Sequence, residues 1–400
     1  MPRDMRWLHT VTNVDMKAIN RTAILEIIRR AGPISRSSIA EHLQVSLPTV
    51  MRIVDELTGE GLVRTCGEKQ WSGGRRRALI EFSGEEHLVI GVDLGGTKIY
   101  GAVTDLCGNV LYEVRVPHHN THDEESFKLV VETIQDLLSY AQGTGYLIRG
   151  IGVGVPGVTD PEGVIKYAPS LGWSDFPLKG RLSEYFNLPI VVENDVNLAA
   201  LGESWFGSEN HRENLILIAI GTGIGAGVLI NGMVYPGVHF MAGEIGYLLP
   251  DCSHLQKDYR GFGALEQLAS GTGIAQRARV ILRDQWPEDQ LASLTAEDVF
   301  NAAREHQPWA EAVLAETVDY LALAIASISL VLDPEVILLG GGVAKSADLL
   351  IEPILKRLKG SIPILPRIEA SNLGYRAAVL GAIVKLLRMT SDYYWLQKYS

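Results

Sequence analysis

Leu88-Val89-Ile90-Gly91-Val92-Asp93, then Leu94-Gly95-Gly96-Thr97-Lys98, then Ile99-Tyr100-Gly101-Ala102-Val103 is the stretch that decides the fold class. The outer pieces are apolar runs of strand length, and the middle piece is a glycine-bearing turn between them. Bare glycines let a backbone approach a phosphate, Thr97 and Lys98 can donate to it, and Asp93 can hold a metal-bound water. In isolation such a turn is an ordinary hairpin, but this one recurs. Leu215 to Ile220 is a second apolar strand, followed by Gly221-Thr222-Gly223-Ile224-Gly225-Ala226-Gly227 and Val228-Leu229-Ile230. Two strand–glycine loop–strand units imply a duplicated α/β fold whose two lobes clamp a nucleotide. A third run, Gly340-Gly341-Gly342, follows the strand Val336 to Leu339 and is placed to meet an adenosine.

Toward the N-terminus the pattern changes. Ile19, Ala23, Ile24, Ile27 and Ile28 fall on one face of a helix from Ala18 to Arg30, which Gly32-Pro33 ends. Ser35 can cap a second short helix, Arg36 to Leu43. After the turn Gln44-Val45-Ser46 a third runs from about Leu47 to Glu60, with Pro48 tolerated in its first turn. Two helices joined by a tight turn make a helix-turn-helix. Ser46, Pro48, Thr49 and Arg52 stand at the start of the helix that would face base edges, with Met51 beside them. Gly61 to Arg64 and Ala78 to Phe82 read as strands flanking a basic tip, Ser72-Gly73-Gly74-Arg75-Arg76-Arg77. That is a β-wing whose Arg75, Arg76 and Arg77 suit phosphates or a narrow minor groove.

Charge supports this division. The chain carries a net charge of -11 over 400 residues, which by itself argues against nucleic acid. Residues 1–85 hold 13 basic and 10 acidic side chains, against 23 and 37 in the remainder, so a mildly basic head sits on an acidic body. The three cysteines, Cys66, Cys107 and Cys252, are far apart and imply a reducing cytoplasm rather than a disulfide framework. The N-terminus has no apolar signal-peptide core, and the longest apolar run, Leu321 to Leu332, is too short to span a bilayer, so no membrane partner is expected. The expected domains are 1–85, the head; 86–205, a first lobe; and 206–400, a second.

Six segments then occur in one order: Asp93-Leu-Gly-Gly-Thr-Lys98, Val155-Pro-Gly-Val158, Glu193-Asn-Asp195, Gly221-Thr-Gly-Ile-Gly-Ala-Gly227, Gly243-Glu-Ile-Gly246 and Leu339-Gly-Gly-Gly342. In this the chain resembles the ROK family of repressors and sugar kinases over about residues 88–388, and within it the repressors of the xylose and N-acetylglucosamine type. The resemblance implies an α/β architecture: a winged helix-turn-helix followed by a two-lobed actin-like ATPase fold, ribonuclease H-like and duplicated. It implies sugar contacts from Gly157, Asn194, Asp195, Glu244, Tyr247 and Glu266, with Asp195 as general base toward a sugar hydroxyl if the protein is a kinase. It implies phosphate or nucleotide contacts from Asp93, Gly95, Gly96, Thr97, Lys98, Thr222, Gly223 and Gly341, and a place for ATP and magnesium if catalysis is retained.

One family feature is missing. Many members bind a structural zinc through a His after Gly-Glu-Ile-Gly and three cysteines; the aligned positions here are Tyr247, Lys257, Tyr259 and Ala264, so no zinc and no other metal is expected. Within the family, a winged head separates repressors from free-standing kinases. The expected function is therefore a transcriptional repressor of carbohydrate genes whose operator affinity is set by a sugar in the kinase-like cleft, with no cofactor required. An ATP-dependent sugar kinase with an accessory head is the alternative, and a repressor released by a protein partner a third possibility on which the sequence is silent. Operator DNA, a sugar effector and further copies of the chain, as a homodimer or homotetramer, are the expected partners. Trp309 to Leu332 and Ala377 to Leu387 are candidate dimer surfaces.

Overall fold

Serine caps set the helices of the head. The computed structural model describes residues 13–69, 77–118, 123–207, 212–259 and 261–390. Helix α1 is Asn13–Ala31, the short strand β1 is Ile34–Ser35, α2 is Arg36–Leu43 and α3 is Leu47–Gly59. Ser35 Oγ accepts the Ser38 N–H at 3.1 Å, and Ser46 Oγ accepts the Thr49 N–H at 3.4 Å, so each helix of the pair begins on a cap. Val50, Ile53, Val54 and Leu57 of α3 are fully buried against Ile24, Ile28 and Ile39. The wing is β2 (Val63–Lys69) antiparallel to β3 (Arg77–Phe82), and β1 pairs with the other edge of β3. Strand β2 starts two residues later than expected, because the N–H groups of Gly61 and Leu62 turn back to Thr58 and Leu57. Arg75 and Arg76 lie outside the described residues, as does the side chain of Arg77.

The first lobe runs β4 (His87–Leu94), β5 (Lys98–Asp105), β6 (Val110–Pro117), α4 (Asp123–Gly143) and β7 (Leu147–Val155). Then come three short strands, β8 (Val158–Thr159), β9 (Ile165–Ala168) and β10 (Trp173–Phe176), α5 (Leu178–Tyr185), β11 (Ile190–Asn194) and α6 (Asp195–Phe206). The second lobe opens with β12 (Leu215–Ile220), β13 (Ile224–Ile230) and β14 (Met233–Val234). Five helices follow: α7 (Ala264–Ala269), α8 (Gly271–Leu282), α9 (Glu288–Ser293), α10 (Ala296–Arg304) and α11 (Pro308–Leu332). The chain closes with β15 (Val336–Gly340), α12 (Ile351–Leu358), β16 (Ile368–Ala370) and α13 (Ala377–Thr390).

The two main sheets share one plan. The first is ordered β6-β5-β4-β7-β11 and the second β14-β13-β12-β15-β16, each antiparallel on one side of its founding strand and parallel on the other. The duplication expected from the two glycine loops is thus present as strand order. Between the sheets lie two helices: α13 packs on β4 and β7 of the first lobe, and α6 on β12 and β13 of the second. They cross backbone to backbone: a Cβ on Gly381 would lie 1.8 Å from the Leu198 carbonyl oxygen, and one on Gly202 2.2 Å from that of Ala377. Ala377 to Leu387 is therefore buried between the lobes, which corrects its expectation as a dimer surface. The apolar run Leu321 to Leu332 is the end of the 25-residue α11, by length and composition the one described helix able to cross a membrane. Val313, Leu321, Ile325 and Ile328 bury one face in the second lobe, and Leu323, Leu330 and Val331 stay exposed.

The head is seated on this join. The Arg29 guanidinium of α1 lies 3.7 Å from the Trp205 ring centroid of α6, and Arg30 pairs with Glu213, just before β12, at 2.9 Å. The apolar core of the head is continuous with Leu198, Trp205, Leu386 and Leu387. On the first-lobe side, Arg149 Nε donates to His87 Nδ1 at 3.0 Å beneath the end of α3.

Candidate functional site

Parallel strands deliver their C-terminal ends to one crevice, where ligands of open α/β sheets bind. Register places Asp93 of β4 opposite Gly154 of β7, and Gly154 opposite Glu193 of β11. Asp195 then opens α6, with Asn194 as its cap. Asn194 Oδ1 accepts the Asn197 N–H at 2.9 Å, and its Nδ2 donates to the Gly157 carbonyl at 3.1 Å. Gly157 has φ +95°, and a Cβ there would come within 2.2 Å of the Tyr167 carbonyl oxygen. Asn194 therefore pins the 157 turn to the start of α6. Asp195 Oδ1 accepts the Val196 N–H at 2.9 Å.

The opposite wall comes from the second lobe. Glu266 Oε1 accepts the Ile224 N–H at 2.9 Å and Oε2 the Gly263 N–H at 3.2 Å, so both oxygens already hold backbone. Gly223 makes room for it, since a Cβ would lie 2.0 Å from Glu266 Oε1. Glu244 and Tyr247 flank this clamp on the 244–247 turn. Burial pushes Glu244 up to about 7, helped by the charges of Asp195 and Glu266. Burial also raises Asp93 and Asp195; the charge of Asp195 pushes Asp93 further up, Lys98 opposes that, and the Val196 N–H opposes the rise of Asp195. The Tyr247 phenol is raised by burial, then by Tyr167 and Glu244. These acids repel one another when all are ionised, so hydroxyl donors arriving in their midst would be strongly held.

Beside them opens a cavity of about 810 Å³, whose lining includes Thr97, Gly221, Thr222, Thr272, Phe300 and Gly342. Thr97 and Thr222 reach it. Gly95 closes the hairpin, its N–H donating to the Lys98 carbonyl at 2.9 Å, with Gly96 at the exposed crest; Lys98 points to solvent within reach of Asp93's charge. Gly223 and Gly341 do not line the cavity; Gly341, with φ +78°, sits against the Ile220 carbonyl, and its neighbour Gly342 faces the space. Sequence reasoning missed Arg279, Arg304 and Lys345 of this lining. Arg279 holds the carbonyls of Leu291 and Leu294 at 2.8 Å, and Arg304 holds Asp348 at 2.8 Å. Also missed was buried His118, which ties the loop down: its N–H donates to the Thr97 carbonyl and its Nδ1 to the Gly95 carbonyl, both at 3.0 Å. No local pattern marks these residues, because their partners are distant in sequence.

Asp93 Oδ1 is buried with no hydrogen-bond partner among the described residues, a placement that fits a magnesium-bound water. The zinc positions do not fit. Ala264 is buried on α7, Tyr247 and Tyr259 offer phenols, and His254 lies 3.3 Å from Asp251 with its ring against Tyr259.

On the head, Ser46 and Thr49 hydrogen-bond each other through their hydroxyls at 2.8 Å, while Pro48 and Arg52 are exposed.

The ROK family model matches residues 89–388. The chain belongs to the ROK family. A MarR family model matches residues 19–65, the helix-turn-helix. A glucokinase of Halalkalibacterium halodurans is 38% identical over 73% of this chain and 90% of its own. A xylose repressor of Caldicellulosiruptor bescii is 29% identical over 93% of this chain and 96% of its own. A crystal structure of a ROK family transcriptional regulator, a homologue of the E. coli MLC protein, superposes with a TM-score of 0.80 and 24% identity over 96% of this chain and 98% of that one. The repressor and the regulator span head and body together, whereas the glucokinase covers 73% of the chain.

Proposed function

We propose that this ROK protein is a sugar-responsive, DNA-binding transcriptional repressor. The observation that carries the reading is α6. Its first residue, Asp195, stands in the acid-lined cleft, and Trp205 near its end carries Arg29 of the head. A sugar held between Asp195 and Glu244 draws the lobes together, and any shift of α6 is passed to α1. The sugar changes operator affinity only by its different affinity for the two lobe arrangements. Operator dyads call for two heads, so the protein acts as at least a dimer, with the exposed face of α11 available for pairing.

The test uses duplexes selected from a random pool on the full chain. A sugar that raises its melting point should change duplex affinity roughly tenfold or more. Indifference of DNA binding to every sugar that binds overturns the reading. Arg29→Gln should keep sugar binding and DNA binding but lose most of the effect of one on the other, up to about tenfold for the loss of the cation–ring contact to Trp205. A variant as sugar-responsive as the parent removes α6 from the path.

A kinase reading is favoured by the buried, unpartnered Asp93 Oδ1 and the adjoining cavity. There Asp93 would hold a magnesium-bound water, Thr97 and Thr222 would take phosphate oxygens, and Asp195 would accept the sugar hydroxyl proton. Magnesium, when bound, neutralises phosphate charge. ATP turnover across a sugar panel, abolished by Asp195→Asn, decides for it.

A further inference from the structure

Helix α3 presents an unusual surface for the helix that enters the groove. Its buried stripe is fully apolar, yet Leu47 is 43% exposed and Met51 48% exposed on the opposite side. The two are four residues apart, one turn, so their side chains lie on one face. Arg52 stands next to them with no ion pair or hydrogen bond among the described residues, whereas Asp55, on the same face, is held by Arg36 at 3.0 Å. The polar candidates are engaged locally. Ser46 Oγ caps the Thr49 N–H and meets the Thr49 hydroxyl at 2.8 Å, so both hydroxyls are tied to the helix start. What this face offers to base edges is two apolar side chains and one guanidinium.

We propose that Leu47 and Met51 read thymine methyl groups in the major groove, with Arg52 on the adjoining guanine or phosphate. The inference rests on the repressor reading above and names the base chemistry that reading leaves open. In the major groove thymine alone among the four bases carries a methyl at C5, and an apolar side chain is its natural partner, while a guanidinium matches guanine O6 and N7. An apolar pair one turn apart spans neighbouring bases on one strand, so the operator carries a thymine step beside a guanine or an open phosphate. The operator contact is thus decided by desolvation of methyls more than by hydroxyl hydrogen bonds.

The experiment takes duplexes selected on the full chain and replaces each thymine in turn by deoxyuridine, which removes the methyl and keeps every hydrogen-bonding group. Affinity should fall roughly fourfold for each methyl lost from an apolar contact, at one or two positions per half-site. Met51→Ala and Leu47→Ala should each bind the parent duplex as weakly as the parent protein binds the matching deoxyuridine duplex, and should be indifferent to that same replacement. Both residues are exposed, so melting points within a degree or two of the parent are expected. Specific binding with no deoxyuridine effect at any position overturns the methyl reading and leaves the repressor reading intact. So does an Ala variant that weakens binding yet still responds to the methyl. Failure to select any duplex overturns both.

Discussion

The two lobes share a strand order and differ in what stands at the strand ends. In the first lobe the founding strand β4 brings Asp93, next to its last residue, opposite Gly154, and the parallel edge ends on Asn194 with Asp195 behind it. In the second, β12 brings Ala219 opposite Gly340, and beyond its last residue, Ile220, lie Gly221 and Thr222. The backbone supplies a crevice in both cases. Carboxylates make one suited to hydroxyl donors, and glycine and threonine make the other suited to phosphate and a flat base. Ligand choice lives in a few terminal residues, and the join between the lobes decides whether the two crevices face each other.

That join is the place to break the comparison first. Gly381→Val drives a side chain into the Leu198 carbonyl and should cost at or above the top of the roughly 1–3 kcal/mol range of overpacked cores, read as a lowered denaturant midpoint. A parent-like midpoint would mean that α6 and α13 separate freely. Asp195→Asn separates the crevices chemically. Sugar affinity should fall about 10- to 100-fold, from the loss of a hydrogen bond to a charged group, while the binding of a nucleotide that the kinase reading places in the neighbouring cavity should not change. Titration calorimetry with each ligand checks both halves; equal losses would mean one shared site.

The acids also give the cleft a pH dependence. Glu244 lies near 4.5 when unfolded and is pushed up to about 7 in the fold, so between those values the unfolded chain holds fewer protons. Stability of the unliganded protein therefore falls as pH rises through this window, by a few degrees of melting temperature. Glu244→Gln should make the profile between pH 5 and 7 shallower, the remaining slope coming from Asp93 and Asp195, which burial raises in the same direction; an unchanged slope assigns it to those groups alone. Smallest of all, Glu213→Gln removes a partly exposed ion pair to Arg30 and should change stability by no more than about 1 kcal/mol in chemical denaturation. A larger loss would make that pair a principal anchor of the head.

The sequence made local features legible. Ser35 announces a helix because a cap reaches only three residues, and the apolar spacing of α3 is a property of one segment. The lobe duplication was readable because strand–glycine–strand units are short. Long-range geometry was hidden. Glycine marks a missing Cβ without saying what fills the space: Gly223 and Gly341 read as phosphate contacts, and the space is taken by Glu266 and by the Ile220 carbonyl. Nothing near Trp205 announces Arg29, 176 positions earlier, and nothing in Ala377 to Leu387 says that an apolar helix threads back between two sheets. Glu266 was readable as a cleft residue, yet its clamp on the Ile224 N–H depends on a strand 42 residues away.

Among the described side chains of the head, six of the seven cations are paired with acids. Lys17 holds Glu56, Arg21 holds Glu60, Arg36 holds Asp55, Arg64 holds Glu81, and Arg29 and Arg30 share Glu26. A cation already paired displaces few counterions from DNA, and each absent phosphate contact flattens the dependence of log affinity on log salt by about 0.9. The 13 basic residues of the first 85 therefore overstate how strongly the head clings to arbitrary duplex. Attraction to arbitrary duplex then rests on the head's other basic residues, Arg52 and Arg75 to Arg77 among them, against the repulsion of an acidic body.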